Sequence, residues 1–260
     1  MLVLKTLYEN LKGCKPLIWI NDQPTQEDLD HIIREGESPS EYDPLKLRKE
    51  MLDDLRAGKA TLLTRSCKYA KVLAVVYPST KIPWELFGKI FQAFGPAKGE
   101  DWRLLWFANP IKRLLPENTI PSSAHMNGGY AIPCHPSTVV VYREEEVARV
   151  LIHELLHAAC TDDPNDQDAI REAKTETWAE LFLVALQSKS LQDLKRLWGI
   201  QEQWIVDQEE FLKTIGPNDY AWRYTVGRRH VLEDLGMPLT KQGKSSNNSM
   251  RFTTPALDKN

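Results

Sequence analysis

A short motif of two histidines and one glutamate contains the residue types and the spacing that could carry out chemistry. His153, Glu154 and His157 form the pattern His-Glu-x-x-His inside an apolar, helix-forming run. Two residues four positions apart on a helix lie about 40° apart around its axis, so both imidazoles can reach one metal ion. The glutamate follows the first histidine and can accept a proton in the same cleft. The spacing therefore predicts a metal site with an adjacent general base.

The residues around the motif favour a helix. Strong helix formers fill the run from 145 to 159, and acids stand at its start, where the helix dipole favours negative charge. The chain has only 6 histidines, so a chance match to this pattern is uncommon. The alternative is a buried structural helix whose histidines are ordinary core residues.

A catalytic zinc site needs a third protein ligand, with the fourth position left for water. Pro164 ends the first helix, and a second helix is predicted over 166–187. Its acids Glu172, Glu176 and Glu180 recur every four residues and therefore share one face. Such a stripe is also common on a solvated helix surface.

Eighteen residues separate His157 from Glu176, and this spacing resembles that of the gluzincin group of zincin metallopeptidases. The resemblance implies that His153, His157 and Glu176 bind Zn²⁺ and that Glu154 is the catalytic base. It also implies an acid, four residues after the glutamate ligand, that orients a zinc-binding histidine. Glu180 stands at that position, where many relatives have aspartate.

Two other zinc-site patterns match less well. Asp163 lies six positions after His157, where metzincin-like peptidases place their third ligand, but those families need a glycine where this chain has Cys160. Peptide deformylases use an upstream cysteine ligand, and Cys134 is upstream, but the other motifs of that family are missing. The gluzincin pattern is therefore preferred.

The resemblance further implies a tyrosine or histidine donor for the oxyanion that forms when water attacks an amide carbonyl. A final helix is predicted over 220–235, and Tyr224 is the preferred donor. The other candidates on this helix are Tyr220, Arg228 and His230. A tyrosine or histidine that is half-buried at a helix interface would give the same pattern, so the donor stays open.

The region from 61 to 142 predicts a small mixed β-sheet. Its β-branched and apolar runs are stopped by proline, Asn-Pro or glycine-containing turns. The predicted strands are 71–77, 102–108, 128–132 and 138–142, with a helix at 83–94. The predicted fold class is α+β, zincin-like by resemblance, with this sheet beside the active-site helix and a mostly helical C-terminal half.

The resemblance also indicates where a substrate would lie. In zincins, the last strand before the active-site helix commonly lines the cleft and pairs with an extended substrate. Residues 128–132 or 138–142 would then form the edge that pairs with substrate.

The chain is predicted to have three parts. Residues 1–60 form a mostly helical N-terminal region, residues 61–239 a zincin-like metallopeptidase domain, and residues 240–260 a polar, flexible tail. Further helices are predicted over 25–35, with Thr25 as its N-cap, over 44–57 and over 191–215.

The composition limits the class of protein. Of 260 residues, 42% are hydrophobic and 27% charged, which is typical of a soluble globular protein. A net charge of −3 gives no reason to expect nucleic-acid or membrane-surface binding. The sequence predicts neither a signal peptide nor a transmembrane helix. The four cysteines are scattered, which favours free thiols and a cytoplasmic location.

Taken together, the sequence predicts a zinc-dependent peptidase that uses activated water and Glu154 to hydrolyse a peptide or protein substrate. One alternative is a non-catalytic zinc- or peptide-binding protein on a zincin scaffold, as part of a larger assembly. Hydrolysis of a non-peptide amide would use the same motif. Neither the oligomeric state nor the choice between exo- and endopeptidase follows from the sequence.

Overall fold

The structure is a computed structural model, and it describes residues 1–116, 119–214, 219–244 and 249–257. Side chains are described for these residues except 214, 219–223 and 225. The fold is mixed α/β, with a six-stranded mixed sheet and roughly half of the chain in helices.

Strands and helices mix in the first 141 residues, and helices dominate the rest of the described chain. The strands are β1 (Ile20–Asp22), β2 (Thr61–Ser66), β3 (Ala70–Val76), β4 (Trp102–Phe107), β5 (Gly129–Ala131) and β6 (Val139–Val141). The helices are α1 (Leu2–Leu11), α2 (Gln26–Glu37), α3 (Leu47–Arg56), α4 (Trp84–Phe94), α5 (Ser123–Met126), α6 (Val147–Ala158), α7 (Asp168–Gln187), α8 (Leu191–Thr214) and α9 (Asp219–Asp234). A single 3₁₀ turn follows at Pro255–Leu257.

The chain forms two compact units. We call the first the sheet unit, which consists of Cys14–Lys112 and Asn127–Thr161. The second, the helical unit, consists of Met1–Gly13, Arg113–Met126 and Asp162–Lys259. This division differs from the three consecutive parts predicted from the sequence, because each unit is assembled from separate segments of the chain.

The sheet has the strand order β1-β2-β3-β4-β6-β5. β3 pairs in parallel with β4, and β4 with β6, whereas the other neighbours are antiparallel. The four predicted strands are confirmed. β1 and β2 were not predicted, because all three residues of β1 are exposed and β2 shows no clear apolar alternation.

Helices cover both faces of the sheet. On one face, α2 and α3 complete a core with the strands, and its fully buried members include Ile32, Leu47, Met51, Leu52, Leu73, Val75, Leu105, Phe107 and Val140. On the other face, Phe87 of α4 packs edge-on against Trp106 of β4, with ring centroids 5.8 Å apart. Residues 26–56 therefore belong to the same core as the strands.

The predicted N-cap of α2 is confirmed. The Thr25 hydroxyl accepts a hydrogen bond from the Asp28 N–H, and the Asp28 carboxylate accepts one from the Thr25 N–H. The helix predicted over 44–57 begins later, at Leu47, because the Asp43 carboxylate accepts hydrogen bonds from the N–H groups of Leu47 and Arg48.

A buried guanidinium connects several elements of the helical unit. Arg228 of α9 forms an ion pair with Glu180 of α7, and both side chains are almost fully buried. Arg228 also donates hydrogen bonds to Gln208 of α8 at 3.1 Å and to the Phe252 carbonyl at 3.3 Å. One cation therefore connects three helices to the C-terminal segment.

Described residues of the predicted tail make hydrogen bonds with α8. Gln201 and Gln208 of α8 donate hydrogen bonds to the carbonyls of Phe252 and Arg251, both at 2.8 Å. Met250 is buried as well. Residues 245–248 and 258–260 lie outside the described residues.

The longest of the described helices are α7 and α8, with 20 and 24 residues. They have the length to cross a bilayer. Neither of them, nor any other helix in the described ranges, combines that length with the apolar character that a membrane span needs.

We expect Arg228→Met to lower the free energy of unfolding by about 3–5 kcal/mol, because it removes the cation that faces the buried Glu180 carboxylate. Urea unfolding of the purified variant measures this loss. Arg196→Met is the matched control, because Arg196 pairs with Asp193 at an exposed position and its removal should cost about 1 kcal/mol or less. Equal losses in the free energy of unfolding would show that the buried ion pair contributes no more to stability than the exposed one.

Candidate metal centre

The helix predicted around the His-Glu-x-x-His motif is confirmed as α6. Every residue of α6 is buried except Leu156, and the helix packs against β5, β6 and α4 within the sheet unit. His153, Glu154 and His157 therefore project from a helix that is enclosed on nearly all sides.

The two histidines of the motif face each other. Their Nε2 atoms are 3.1 Å apart, and their ring planes are inclined at 70°. Two nitrogens bound to a tetrahedral zinc at about 2.0–2.1 Å would lie about 3.3 Å apart. The separation of His153 and His157 is thus close to the one that a shared zinc ion requires.

The same distance fits a hydrogen bond between two neutral imidazoles. In that arrangement one Nε2 carries a proton and donates a hydrogen bond to the other Nε2. A metal ion, in contrast, requires both Nε2 atoms to be unprotonated. The separation of the two Nε2 atoms thus suits a shared zinc ion. A hydrogen bond between the two rings explains the same separation when no metal is bound.

The Glu154 carboxylate lies against Gly129 of β5. A Cβ atom added at Gly129 would be 3.0 Å from Glu154 Oε1 and only 2.7 Å from the Val140 carbonyl oxygen. A glycine is therefore required where α6 approaches the strand. The sequence analysis placed a strand here but did not single out Gly129, since only the close approach in three dimensions reveals its role.

β5 is an edge strand of the sheet. It pairs with β6 on one side and ends the strand order, so of the two candidate edges the structure favours 128–132 over 138–142. Gly129 faces α6, and its neighbour Tyr130 faces the core that α2 and α3 complete. The candidate base and the edge of the sheet are therefore adjacent.

Tyr130 is held by a charged cluster on α2 and α3. Its hydroxyl donates to Glu35 and accepts from Arg48, which also bonds the Asp43 carboxylate at 3.1 Å and the Ser38 carbonyl at 3.0 Å. Burial and the Glu35 carboxylate raise the pKa of Tyr130 far above its usual value, so the phenol stays protonated. This network fixes the edge strand from the face opposite α6.

A disulfide joins Cys134 to Cys160. The prediction that all four cysteines are free thiols is therefore wrong for this pair, although Cys14 and Cys67 are free. The two bonded cysteines are 26 positions apart, and no spacing rule connects them in the sequence. Because its sulfur is in the disulfide, Cys134 does not have the free thiolate that a deformylase-like metal ligand requires.

The predicted third ligand lies on α7, in the helical unit. Glu176 and Glu180 are 4% and 1% exposed, so the interpretation of a solvated acidic stripe is wrong for both. Burying a carboxylate is costly unless it is paired or binds a metal ion. Glu180 forms the ion pair with Arg228, and Glu172 is partly exposed.

Asp163, the metzincin-like alternative, takes part in a surface turn. Its carboxylate accepts hydrogen bonds from the backbone N–H of Asn165 at 2.9 Å and from its side chain at 3.0 Å. These bonds lower the pKa of Asp163, with the backbone bond contributing most. The hydrogen bonds of this turn are thus sufficient to explain an aspartate at position 163.

The candidate oxyanion donors lie on α9, also in the helical unit. Tyr224 is partly buried and packs against Phe252, with ring centroids 5.9 Å apart. Arg228 is directed to Glu180 and Gln208, and His230 is exposed. The side chain of Tyr220 lies outside the described residues.

The structure therefore brings together His153, Glu154 and His157 in the sheet unit. The other predicted residues, Glu176 and Tyr224, belong to the helical unit.

We expect Gly129→Ala to lower the free energy of unfolding by about 1–3 kcal/mol, because the new methyl group would overlap the Val140 carbonyl and crowd the Glu154 carboxylate. Urea unfolding measures the change. Gly13→Ala is the control, since a Cβ there meets nothing within 4 Å. A Gly129→Ala protein as stable as the control would contradict the close approach of α6 to β5.

Comparisons with known proteins give no further information on the site. No protein-family model, no curated protein and no solved structure matches this chain. The function of the chain therefore has to be inferred from the motif in α6 and from the geometry around it.

Proposed function

We propose that this chain is a zinc-dependent peptidase of gluzincin type with a zincin-like fold. The observation that carries the proposal is the pair of buried imidazoles on α6, whose Nε2 atoms lie 3.1 Å apart. The adjacent Glu154 carboxylate is the second support. Its place beside an edge strand suits a base that acts on a bound peptide.

A helix with a purely structural role would be expected to bury apolar side chains instead of two histidines and a glutamate. His153, Glu154 and His157 are 8%, 6% and 8% exposed, so three ionisable side chains are buried within five positions of one helix. Their burial costs free energy that leucine or valine would not cost. A metal ion that binds both imidazoles would offset part of this cost, which favours a metal site over a histidine pair in the core.

The chain's own residues have distinct parts in the proposed reaction. The chemistry that zinc supplies when bound is Lewis acidity, which makes water more acidic and polarises an amide carbonyl. His153 and His157 would hold the metal through their Nε2 atoms. Glu154 accepts the proton of the attacking water on its carboxylate and later donates it to the amine nitrogen that leaves.

We assign the third ligand to Glu176. This choice follows the His-Glu-x-x-His-x18-Glu spacing, and the burial of Glu176 supports it. Glu172 offers the same carboxylate one helical turn earlier and is the rival. We do not assign Glu180 to the metal centre, because its carboxylate is paired with Arg228.

For the oxyanion we keep Tyr224 as the first candidate and His230 as the second. The packing of Tyr224 against Phe252 also suits a purely structural tyrosine. This observation favours the alternative function, a zinc- or peptide-binding protein on the same scaffold without catalysis. That protein would bind zinc and peptide but would not hydrolyse the peptide.

The substrate class that fits is an extended peptide or an unfolded protein segment. An extended chain can pair with the outer edge of β5, the last strand of the described sheet, and would then pass beside Glu154. The cytoplasmic location predicted from free cysteines has lost that support, because Cys134 and Cys160 form a disulfide.

The zinc content of the purified chain tests the metal centre. We expect about one zinc per chain in the wild type and much less in Glu176→Ala, because a site that loses one of three ligands binds far more weakly. Elemental analysis after dialysis gives the ratio.

Glu172→Ala is the matched control and should retain its zinc. Loss of zinc in Glu172→Ala with retention in Glu176→Ala would move the third ligand to Glu172. A wild type that takes up no zinc after reconstitution would contradict the metal centre as a whole.

We expect Glu154→Gln to retain zinc and to lose turnover by roughly 10²–10⁴-fold, since the amide keeps the shape of the side chain but cannot accept a proton. Hydrolysis of a mixed peptide library, followed by mass spectrometry, measures the loss.

Glu144→Gln, a partly exposed glutamate just before α6, is the control and should behave as the wild type. Normal hydrolysis by Glu154→Gln would exclude this mechanism. A zinc-loaded wild type that cleaves nothing would favour the binding protein.

A further inference from the structure

A disulfide between Cys134 and Cys160 lies next to the backbone of His157, the second histidine of the motif. Cys134 is in the turn that joins β5 to β6, and Cys160 is two residues beyond the end of α6. Their Cα atoms are 4.6 Å apart, within the usual range for a disulfide. The bond thus ties the end of the motif helix to the turn that follows the edge strand.

Backbone hydrogen bonds reinforce this connection at His157. The N–H groups of Cys134 and Cys160 both donate to the carbonyl oxygen of His157, each at 3.1 Å. The backbone of a candidate metal ligand is therefore held by both halves of the disulfide.

Both cysteines adopt a backbone conformation that is unfavourable for residues with a side chain. Their φ angles are +65° for Cys134 and +59° for Cys160, in the left-handed region. Such residues persist when the surrounding structure fixes them. Opening of the disulfide would remove one fixed constraint, and each residue could then relax and withdraw its N–H from His157.

The disulfide is open to exchange with reductants in solution. Cys134 and Cys160 are both exposed, whereas Cys14 and Cys67 are partly buried, and burial raises the pKa of both of these thiols. Access of an attacking thiolate is one determinant of the rate of disulfide exchange. Of the four cysteines, the two in the disulfide are therefore the more accessible to a reductant, and they lie beside the candidate metal centre.

We propose that the Cys134–Cys160 disulfide positions His157 for metal binding, so that the zinc affinity of this chain depends on its redox state. The inference rests on the proposed function. A dithiol reductant attacks one sulfur and forms a mixed disulfide, and its second thiol then closes to release the cysteine. Overall, two electrons and two protons pass to Cys134 and Cys160, and the reductant is oxidised to a disulfide.

The oxidised chain is the form that binds zinc tightly. In the reduced chain, the His157 carbonyl loses the fixed donors on either side, and the imidazole is less well oriented. Groups that orient metal ligands contribute about 10–100-fold to affinity, and we expect a loss of about tenfold on reduction.

Competition with a chromophoric zinc chelator tests the proposal. The oxidised wild type is compared with wild type treated with a phosphine, which reduces the bond without adding a competing thiol. Cys134→Ser/Cys160→Ser should bind zinc about tenfold more weakly, with or without the phosphine. Cys14→Ser/Cys67→Ser is the control and should respond to the phosphine as the wild type does.

Equal zinc affinity in the oxidised and reduced wild type would overturn this inference and leave the proposed function intact. Absence of zinc binding in every form would overturn both. Circular dichroism of the reduced wild type separates positioning from global stability: a chain that unfolds on reduction would assign the disulfide to stability and overturn the inference. Four free thiols in protein purified under oxidising conditions would also overturn it.

Discussion

At Gly129, α6 approaches β5 so closely that a side chain of one carbon would meet both the Val140 carbonyl and the Glu154 carboxylate. The geometry of the candidate centre depends on this contact, because it decides how the motif helix faces the edge of the sheet. A strand of three residues with one paired neighbour has little strength of its own. It needs support from elsewhere, and the fold provides this on the opposite face, where Arg48 and Glu35 hold Tyr130.

Buried carboxylates are paired with arginines in both units, as Asp43 is with Arg48 in the sheet unit, whereas the two buried histidines of α6 face each other. In the helical unit, Glu180 is buried opposite Arg228, which is the common way to keep a carboxylate in a protein interior. In the sheet unit, the buried ionisable groups of α6 include two imidazoles whose nitrogens face each other. Two neutral imidazoles can share one proton, but a divalent cation uses both nitrogens at once. This difference is the physical basis for preferring a metal centre.

Local sequence patterns predicted much of the fold, because the elements concerned are specified by short-range signals. The helix cap at Thr25 and the β-branched run of β3 are examples, and the α6 histidines follow directly from helical periodicity. The features that were missed depend on contacts between distant residues. The C-terminal segment is ordered by Gln201 and Gln208, although its own composition is polar.

In the candidate site, too, short-range signals predicted some features, whereas contacts between distant residues determine the others. The spacing of His153 and His157 fixes their approach, since one helix carries both. The role of Gly129 and the Cys134–Cys160 bond could not be predicted, because each depends on how the β5–β6 hairpin meets α6. For Glu176, spacing indicates a helix face and burial excludes a solvated role, but neither identifies what its carboxylate binds.

The turn between β5 and β6 connects the edge strand to the end of the motif helix. β5 ends at Ala131 and would hold an extended substrate, whereas His157 would hold the metal. Between them, Cys134 is bonded covalently to Cys160 and donates its N–H to the His157 carbonyl. A displacement of the edge strand would therefore reach the backbone of His157 through this disulfide and this hydrogen bond. The same path would carry a change at the disulfide to the strand, so metal binding and substrate binding would respond together.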